Sequence, residues 1–336
     1  VFGLSASLNV FDTKGQSLAE PSQASAVSHG KQDIVTVRAL TRNRVETYMQ
    51  LAQELRTMPR REVMARRQGA IVASLFYEPS TRTRLSFETA ALRLGARVVG
   101  AENALENSSA KKGERLEDTL RIVGSYADAI VVRHHENNTL AEVASLCPVP
   151  VVSAGTGAGE HPTQALLDVY TLERELGRVD GLHISILGDL RYGRTVHSLL
   201  YLLTQFNGVV VTMFAVPGLE LPSEMAASLA ADGLRLRTVG TLEEALSETD
   251  AVYQTRIQRE RLQGEDALSL AGLTHLGVEE LRRLPSHARI LHPLPRLDEL
   301  NPELDHDPRA AYFRQAENGL FIRMAVLDSL LKEGIS

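Results

Sequence analysis

The chain has very little cysteine: Cys147 is the one such residue in 336. That excludes an internal disulfide framework and fits a reducing compartment. Cys147 precedes Pro148 in an apolar stretch, where a buried structural thiol is expected rather than a nucleophile. Long apolar runs are lacking as well. None approaches the roughly 20 residues needed to cross a bilayer, so no membrane role is expected. An excess of basic residues is also lacking. The formal charge is −6, which argues against a nucleic-acid partner but leaves room for a local basic pocket. No fixed-period repeat or low-complexity tract occurs. The first 30 residues lack an initiator Met, sustained periodicity, an Arg-rich transit character and a long apolar signal core. They are expected to form a flexible arm or linker that starts at a processing boundary. A soluble, cytoplasmic protein is the expectation.

What is present suits a globular chain: 43% hydrophobic and 23% charged residues, over a length that fits two domains. From residue 31, strand-like and helix-like segments alternate. "TRNRVETYMQLAQELRTM" has helical spacing in Val45, Tyr48, Leu51 and Leu55, with Thr41 as cap. "AIVASLF" reads as a strand covered on both faces. The helix opened by "STRTR" follows, with Leu85, Ala91, Leu92 and Gly95 marking its inner face and end. "ENALENSSAKKGE" reads as a polar loop, and "ADAIVVRH" and "PVPVVSAG" as further strands. After the helix at 161–176, a second series of strands runs through "LHISILGD", "VVVTMFAV", "TDAVYQTR" and "ARILHPLP". The final segment reads as an amphipathic helix with Leu320, Met324, Leu327 and Leu331 in register. The fold class is α/β, with two doubly wound, parallel-sheet (Rossmann-like) domains joined by helices.

Arg82 and Arg84 pose a problem, because the positive end of a helix dipole disfavours cations. A bound anion resolves it for Arg82. Ser80 caps the helix, the free N–H groups of Thr81, Arg82 and Thr83 converge, the hydroxyls of Ser80, Thr81 and Thr83 add donors, and Arg82 forks onto phosphate oxygens. Arg84 fits an ion pair or packing. Arg133 closes a strand, and His161 and Gln164 face one side of a helix start. Ser108, Ser109, Lys111 and Lys112 sit on a loop that Gly113 keeps flexible.

The ordered set "FYEPSTRTRLSFETA", "SSAKKGERLEDT", "VVRH", "GEHPTQALLDVYTL", "GDLRYGRTVHSL", "TRIQRER", "HPLPRLDEL" and "DPRAAYFRQAENGLFIRMAVL" closely resembles the aspartate carbamoyltransferase catalytic chain. The resemblance spans roughly residues 31–332. It implies transfer of the carbamoyl group of carbamoyl phosphate to L-aspartate, in pyrimidine biosynthesis, without cofactor. It implies that Ser80, Thr81, Arg82 and Thr83 hold phosphate, that Thr83, Arg133 and His161 face the carbonyl oxygen, and that Gln164 orients the amide. Arg194, Arg256 and Gln258 match the carboxylate binders. Lys112 would reach both substrates, and backbone carbonyls near Pro293, Leu294 and Pro295 would receive the amino groups. The family shares its sites within a homotrimer, so Lys112 and either Ser108 or Ser109 would enter a neighbour's cleft. The implied division is an arm at 1–30, a carbamoyl-phosphate domain at 31–165 with the helix 312–336 packed back on it, and an aspartate domain at 166–311. A regulatory subunit or fusion partner is a further partner the family allows for.

Rival readings fit less well. Ornithine carbamoyltransferase would have a Cys in an "HCLP" motif where position 293 is Pro, and no "SMG" segment occurs. "SAGTGAGEHP" lacks the downstream acid of a dinucleotide fingerprint. A catalytically silent homologue is disfavoured because the matched positions are chemically competent. His134 and His135 are expected to point apart on a strand, and Asp305-His306-Asp307 offers no convincing ligand set, so no metal is expected.

Overall fold

A computed structural model describes residues 32–137, 139–157, 159–257 and 274–332. The expected N-terminal arm and Gln258 lie outside them. The described chain forms two parallel sheets, each wound with helices. β1 (Ile71–Phe76), β2 (Arg97–Glu102), β3 (Ala129–His134) and β4 (Val151–Thr156) make the first, in the order β2-β1-β3-β4. β5 (His183–Gly188), β6 (Val210–Ala215), β7 (Arg235–Thr238), β8 (Ala251–Gln254) and β9 (Arg289–Leu291) make the second, in the order β7-β6-β5-β8-β9. Every pairing among them is parallel. β3 and β4 are buried along their whole lengths, which accounts for their continuous apolar runs. Edge strand β7, "RLRT", is mostly exposed and carries no apolar pattern by which the sequence could reveal it.

The helices follow their caps and periodicities. Thr41 Oγ1 accepts the Arg44 N–H at the start of the Arg42–Thr57 helix, as expected. The Thr81–Arg93 helix is different. Its inner face is Thr83, Phe87, Ala90 and Ala91, whereas Leu85 and Leu92 are 54% and 57% exposed. Those two leucines lie seven residues apart on an outward face, so they do not belong to this chain's core. "ENALENSSAKKGE" is also more ordered than a loop: Ala104–Asn107 and Ser109–Lys112 are short helical turns.

The Tyr312–Leu330 helix packs against the Arg42–Thr57, Thr81–Arg93 and Pro162–Leu176 helices. Residues 321 to 328 are all buried, Arg323 and Asp328 among them. Met324, Leu327 and Leu331 are buried as expected, and residues 313, 314, 316 and 317 give the first half of the helix an exposed face. From 321 to 328, however, neighbours cover it on every side, so the amphipathic reading fails there. No helix among the described residues is long and apolar enough to cross a membrane.

Candidate active site

In open parallel sheets, ligands collect where the strand order reverses, at the carboxyl ends of the strands. In the first sheet that point lies between β1 and β3. β1 leads into Glu78-Pro79-Ser80 and the Thr81–Arg93 helix, while β3 carries Arg133 near its end. In the second sheet the reversal lies between β5 and β8, which lead to Arg194 and to Arg256. All four segments open on one cavity of about 960 Å³. Arg82, Arg133, Arg194, Arg256 and Arg323 line it, against Glu78 and Glu317 as its acids. A chain of net charge −6 thus concentrates cations here.

Ser80 occupies the N-cap position with extended backbone, but its side chain makes no cap hydrogen bond. The expected capping by Ser80 is therefore not made. Its hydroxyl and the first-turn N–H groups all remain available to one anion. Arg82 lines the cavity beside them. Arg84 turns away and pairs with Glu88 at 2.8 Å and with Glu102. The two arginines of "STRTR" therefore have different roles.

Arg133 is buried. Its Nη2 lies 2.9 Å from Glu78 Oε2, and its Nη1 donates to the Ala154 carbonyl at 3.3 Å. Burial, then the nearby Arg194, push its guanidinium down to about 10, so it stays charged at neutral pH. Glu78 Oε2 also lies 3.5 Å from Arg194 Nη1, so one carboxylate joins a cation from each sheet. His161 is buried at the cavity wall. Burial and the cations of Arg194, Arg133 and Arg323 hold its pKa well below the ordinary value, so its imidazole is neutral. Its backbone N–H donates to Ser198 Oγ at 2.8 Å, and Ser198 Oγ donates to the Arg194 carbonyl at 2.8 Å. That pair ties the Pro162–Leu176 and Arg194–Leu203 helix starts together.

The turn after β9 has a distinct polarity. In Pro293-Leu294-Pro295 only Leu294 owns a backbone N–H, and it donates to His292 Nδ1 at 2.8 Å. Carbonyl oxygens are what the turn has left to offer, and all three residues line the cavity. Such a rim reads N–H donors.

Ser80, Thr81, Arg82, Thr83, Arg133, His161, Gln164, Arg194, Arg256, Pro293, Leu294 and Pro295 all line this cavity. Lys112 and Ser109 do not: both are exposed on the Ser109–Lys112 turn. Ser108 is engaged within that turn, donating to the Ala104 carbonyl and accepting from the Ala110 N–H. Gln258 lies outside the described residues. Four lining residues the sequence reading passed over are Glu78, His292, Gln315 and Arg323. Polar residues at buried positions of the last helix were the available signal for Gln315 and Arg323. His134 and His135 do not point apart. Their rings lie 4.4 Å between centroids, tilted by 31°, because His135 follows the end of β3 and escapes strand alternation. Among the described residues, no group of three or more His, Cys, Asp or Glu could hold a metal ion.

Residues 32–174 match the carbamoyl-P binding domain of the aspartate/ornithine carbamoyltransferases, and residues 180–330 match the Asp/Orn binding domain. The chain is 45% identical over 307 residues to the chloroplastic aspartate carbamoyltransferase of Oryza sativa subsp. japonica, covering 89% of this chain and 85% of that one. It is 46% identical to the Arabidopsis thaliana enzyme, over 89% and 77%. Among solved structures, the catalytic subunit of M. jannaschii aspartate transcarbamoylase superposes with a TM-score of 0.83 at 37% identity, covering 89% and 98%. The Trypanosoma cruzi enzyme, in complex with carbamoyl phosphate and aspartate, gives 0.81 at 38%, covering 89% and 95%. The chain therefore belongs to the aspartate/ornithine carbamoyltransferase family, among its aspartate carbamoyltransferases.

Proposed function

We propose that this cavity joins carbamoyl phosphate to L-aspartate, giving N-carbamoyl-L-aspartate and phosphate. One observation carries the reading: cations at the reversal points of both sheets face one cavity, with a turn of acceptors on its rim. Ser80, Thr81, Arg82 and Thr83 take the phosphate. Thr83, Arg133 and His161 donate to the carbonyl oxygen as it gains negative charge, and Gln164 orients the carbamoyl amide with the carbonyls of Leu294 and Pro295. Arg194, Arg256 and Gln258 take the two carboxylates of aspartate, whose amine is received at Pro293 and Leu294. A site built for two carboxylates suits aspartate better than a diamino acid.

The chemistry is direct. The aspartate amine attacks the carbonyl carbon, the carbonyl oxygen becomes an oxyanion, and collapse breaks the bond to phosphate. The departing phosphate takes up the amine's proton. Catalysis is proximity and oxyanion stabilisation. Because burial and three nearby cations hold the His161 pKa well down, its imidazole accepts a proton poorly and serves as a hydrogen-bond donor rather than a general base.

The same reading divides the chain at 31–165 and 166–311, with the helix from 312 on the carbamoyl-phosphate side. It also makes the protein a homotrimer with shared sites. Exposed Lys112 and Ser109, outside their own chain's cavity, support sharing, and Ser109 is the serine with a hydroxyl to offer. Exposed Leu85 and Leu92 support a covered face. A place in pyrimidine biosynthesis, in the cytoplasm and with or without a regulatory partner, completes the reading. The test supplies carbamoyl phosphate with either aspartate or ornithine and identifies the product. Carbamoyl-aspartate is expected; no product from aspartate with intact trimer would sink the assignment.

A further inference from the structure

Behind the cavity wall runs a continuous chain of buried hydrogen bonds. Asp168, fully buried, lies four residues after Gln164 on the Pro162–Leu176 helix. Its Oδ1 accepts from Gln164 Nε2 at 2.8 Å and from Gln315 Nε2 at 2.6 Å, and its Oδ2 accepts from the Tyr253 hydroxyl at 2.8 Å. Gln315 Oε1 then accepts the His292 N–H at 2.8 Å. His292 Nδ1 holds the Leu294 N–H, while its Nε2 lies 2.8 Å from Glu299 Oε1. The path joins Gln164 to the turn of acceptors through elements far apart in sequence.

Each link has a direction fixed by chemistry. Asp168 Oδ1 faces two side-chain amides, and a carboxyl has at most one proton, which Oδ2 can hold beside the Tyr253 hydroxyl. Oδ1 therefore accepts from both amides, and the Gln164 atom facing it is Nε2. That leaves Gln164 Oε1 as the acceptor available to the cavity. Gln315 is fixed twice, with a carboxylate at its amide nitrogen and a backbone N–H at its oxygen. His292 is fixed in the same manner: Nδ1 accepts from Leu294, so Nε2 carries the proton toward Glu299.

We propose that Asp168 and Gln315 are positioning residues for carbamoyl recognition. They lock the amide of Gln164 with its oxygen toward the cavity and set the Pro293-Leu294-Pro295 turn against it, so that both read the same carbamoyl NH2. A purely structural role explains the arrangement poorly. Burial pushes the Asp168 carboxyl up to about 7 against the pull of three donors and Arg323, a cost that an apolar residue of similar volume avoids.

The inference rests on the carbamoyl site proposed above, and affinities for two ligands separate the two ideas. Inorganic phosphate reads the start of the Thr81–Arg93 helix alone, whereas carbamoyl phosphate also reads Gln164 and the turn. Both affinities, kcat and KM are measured on the full-length chain for Gln315→Met, Asp168→Leu and Asp168→Asn. Gln315→Met keeps the volume, and is expected to weaken carbamoyl phosphate about 10- to 100-fold and to lower kcat, with phosphate affinity nearly unchanged. Asp168→Leu behaves alike where it folds. Asp168→Asn is expected to hold both values within about threefold of wild type, because one amide oxygen still accepts from both glutamines. Wild-type values for Gln315→Met, or equal losses of both ligands, would overturn the inference. A wild-type chain that binds carbamoyl phosphate no better than phosphate would instead overturn the site assignment.

Discussion

His161 and Arg133 meet at the position assigned to the carbonyl oxygen, and their surroundings decide what each can do. Burial beside three arginines keeps the imidazole uncharged until well below its ordinary value of about 6.5, so its protonation state does not change across the neutral range. His161→Ala is expected to lower turnover about 100- to 1,000-fold, the scale for one lost oxyanion donor. Phosphate affinity should stay within about threefold, since phosphate sits on other groups. Turnover and phosphate binding, measured on the same preparation, check this; equal losses in both would count against the role. In the wild type, lowering the pH through about 6.5 should cause no loss of turnover from this imidazole.

Elements place these side chains to within fractions of an ångström, and Gly155 shows how. It lies in β4 at φ +109°, where a Cβ would stand 3.2 Å from His161 Cδ2 and 3.3 Å from Arg133 Nη1. L side chains rarely adopt that backbone conformation, so Gly155→Ala strains the strand and presses on both donors at once. The variant is expected to lose about tenfold or more in kcat, with a stability cost on the order of 1–2 kcal/mol. Wild-type turnover with a lowered melting temperature would show that the close approach does not matter to the chemistry. The same strand supplies the Ala154 carbonyl to Arg133, so one segment both anchors the guanidinium and, at Gly155, leaves it room.

At the scale of the whole molecule, one chain holds a cavity whose lining omits Lys112 and Ser109. Lys112→Ala and Arg82→Ala chains should each be inactive alone. Mixed, dissociated and reassembled as the proposed cyclic trimer, they should regain about a quarter of wild-type activity, the fraction of sites that draw Arg82 and Lys112 from different intact donors. Activity assays before and after reassembly check this. No recovery would show that each chain completes its own site.

Much of this was legible in the residues because it depends on local rules. β1 and β3 announced themselves as apolar runs, and the Thr41 cap fixed a helix start. An arginine in the first turn of a helix, after a strand, signalled an anion site, since dipole and free N–H groups follow from backbone geometry alone. Sequence thus determined the fold class, the cluster of donors at the start of the Thr81–Arg93 helix and, by resemblance, the family. Tertiary structure decided what depends on contacts distant in the chain. Arg84 went to Glu88 and Glu102 rather than to the cavity, and Leu85 and Leu92 faced outward. Asp168, an ordinary acid in a helical run, became the meeting point of Gln164, Tyr253 and Gln315. Periodicity shows which face of a helix is apolar, but not which distant donor will reach a buried carboxylate, because that geometry exists only once both sheets and the last helix have packed.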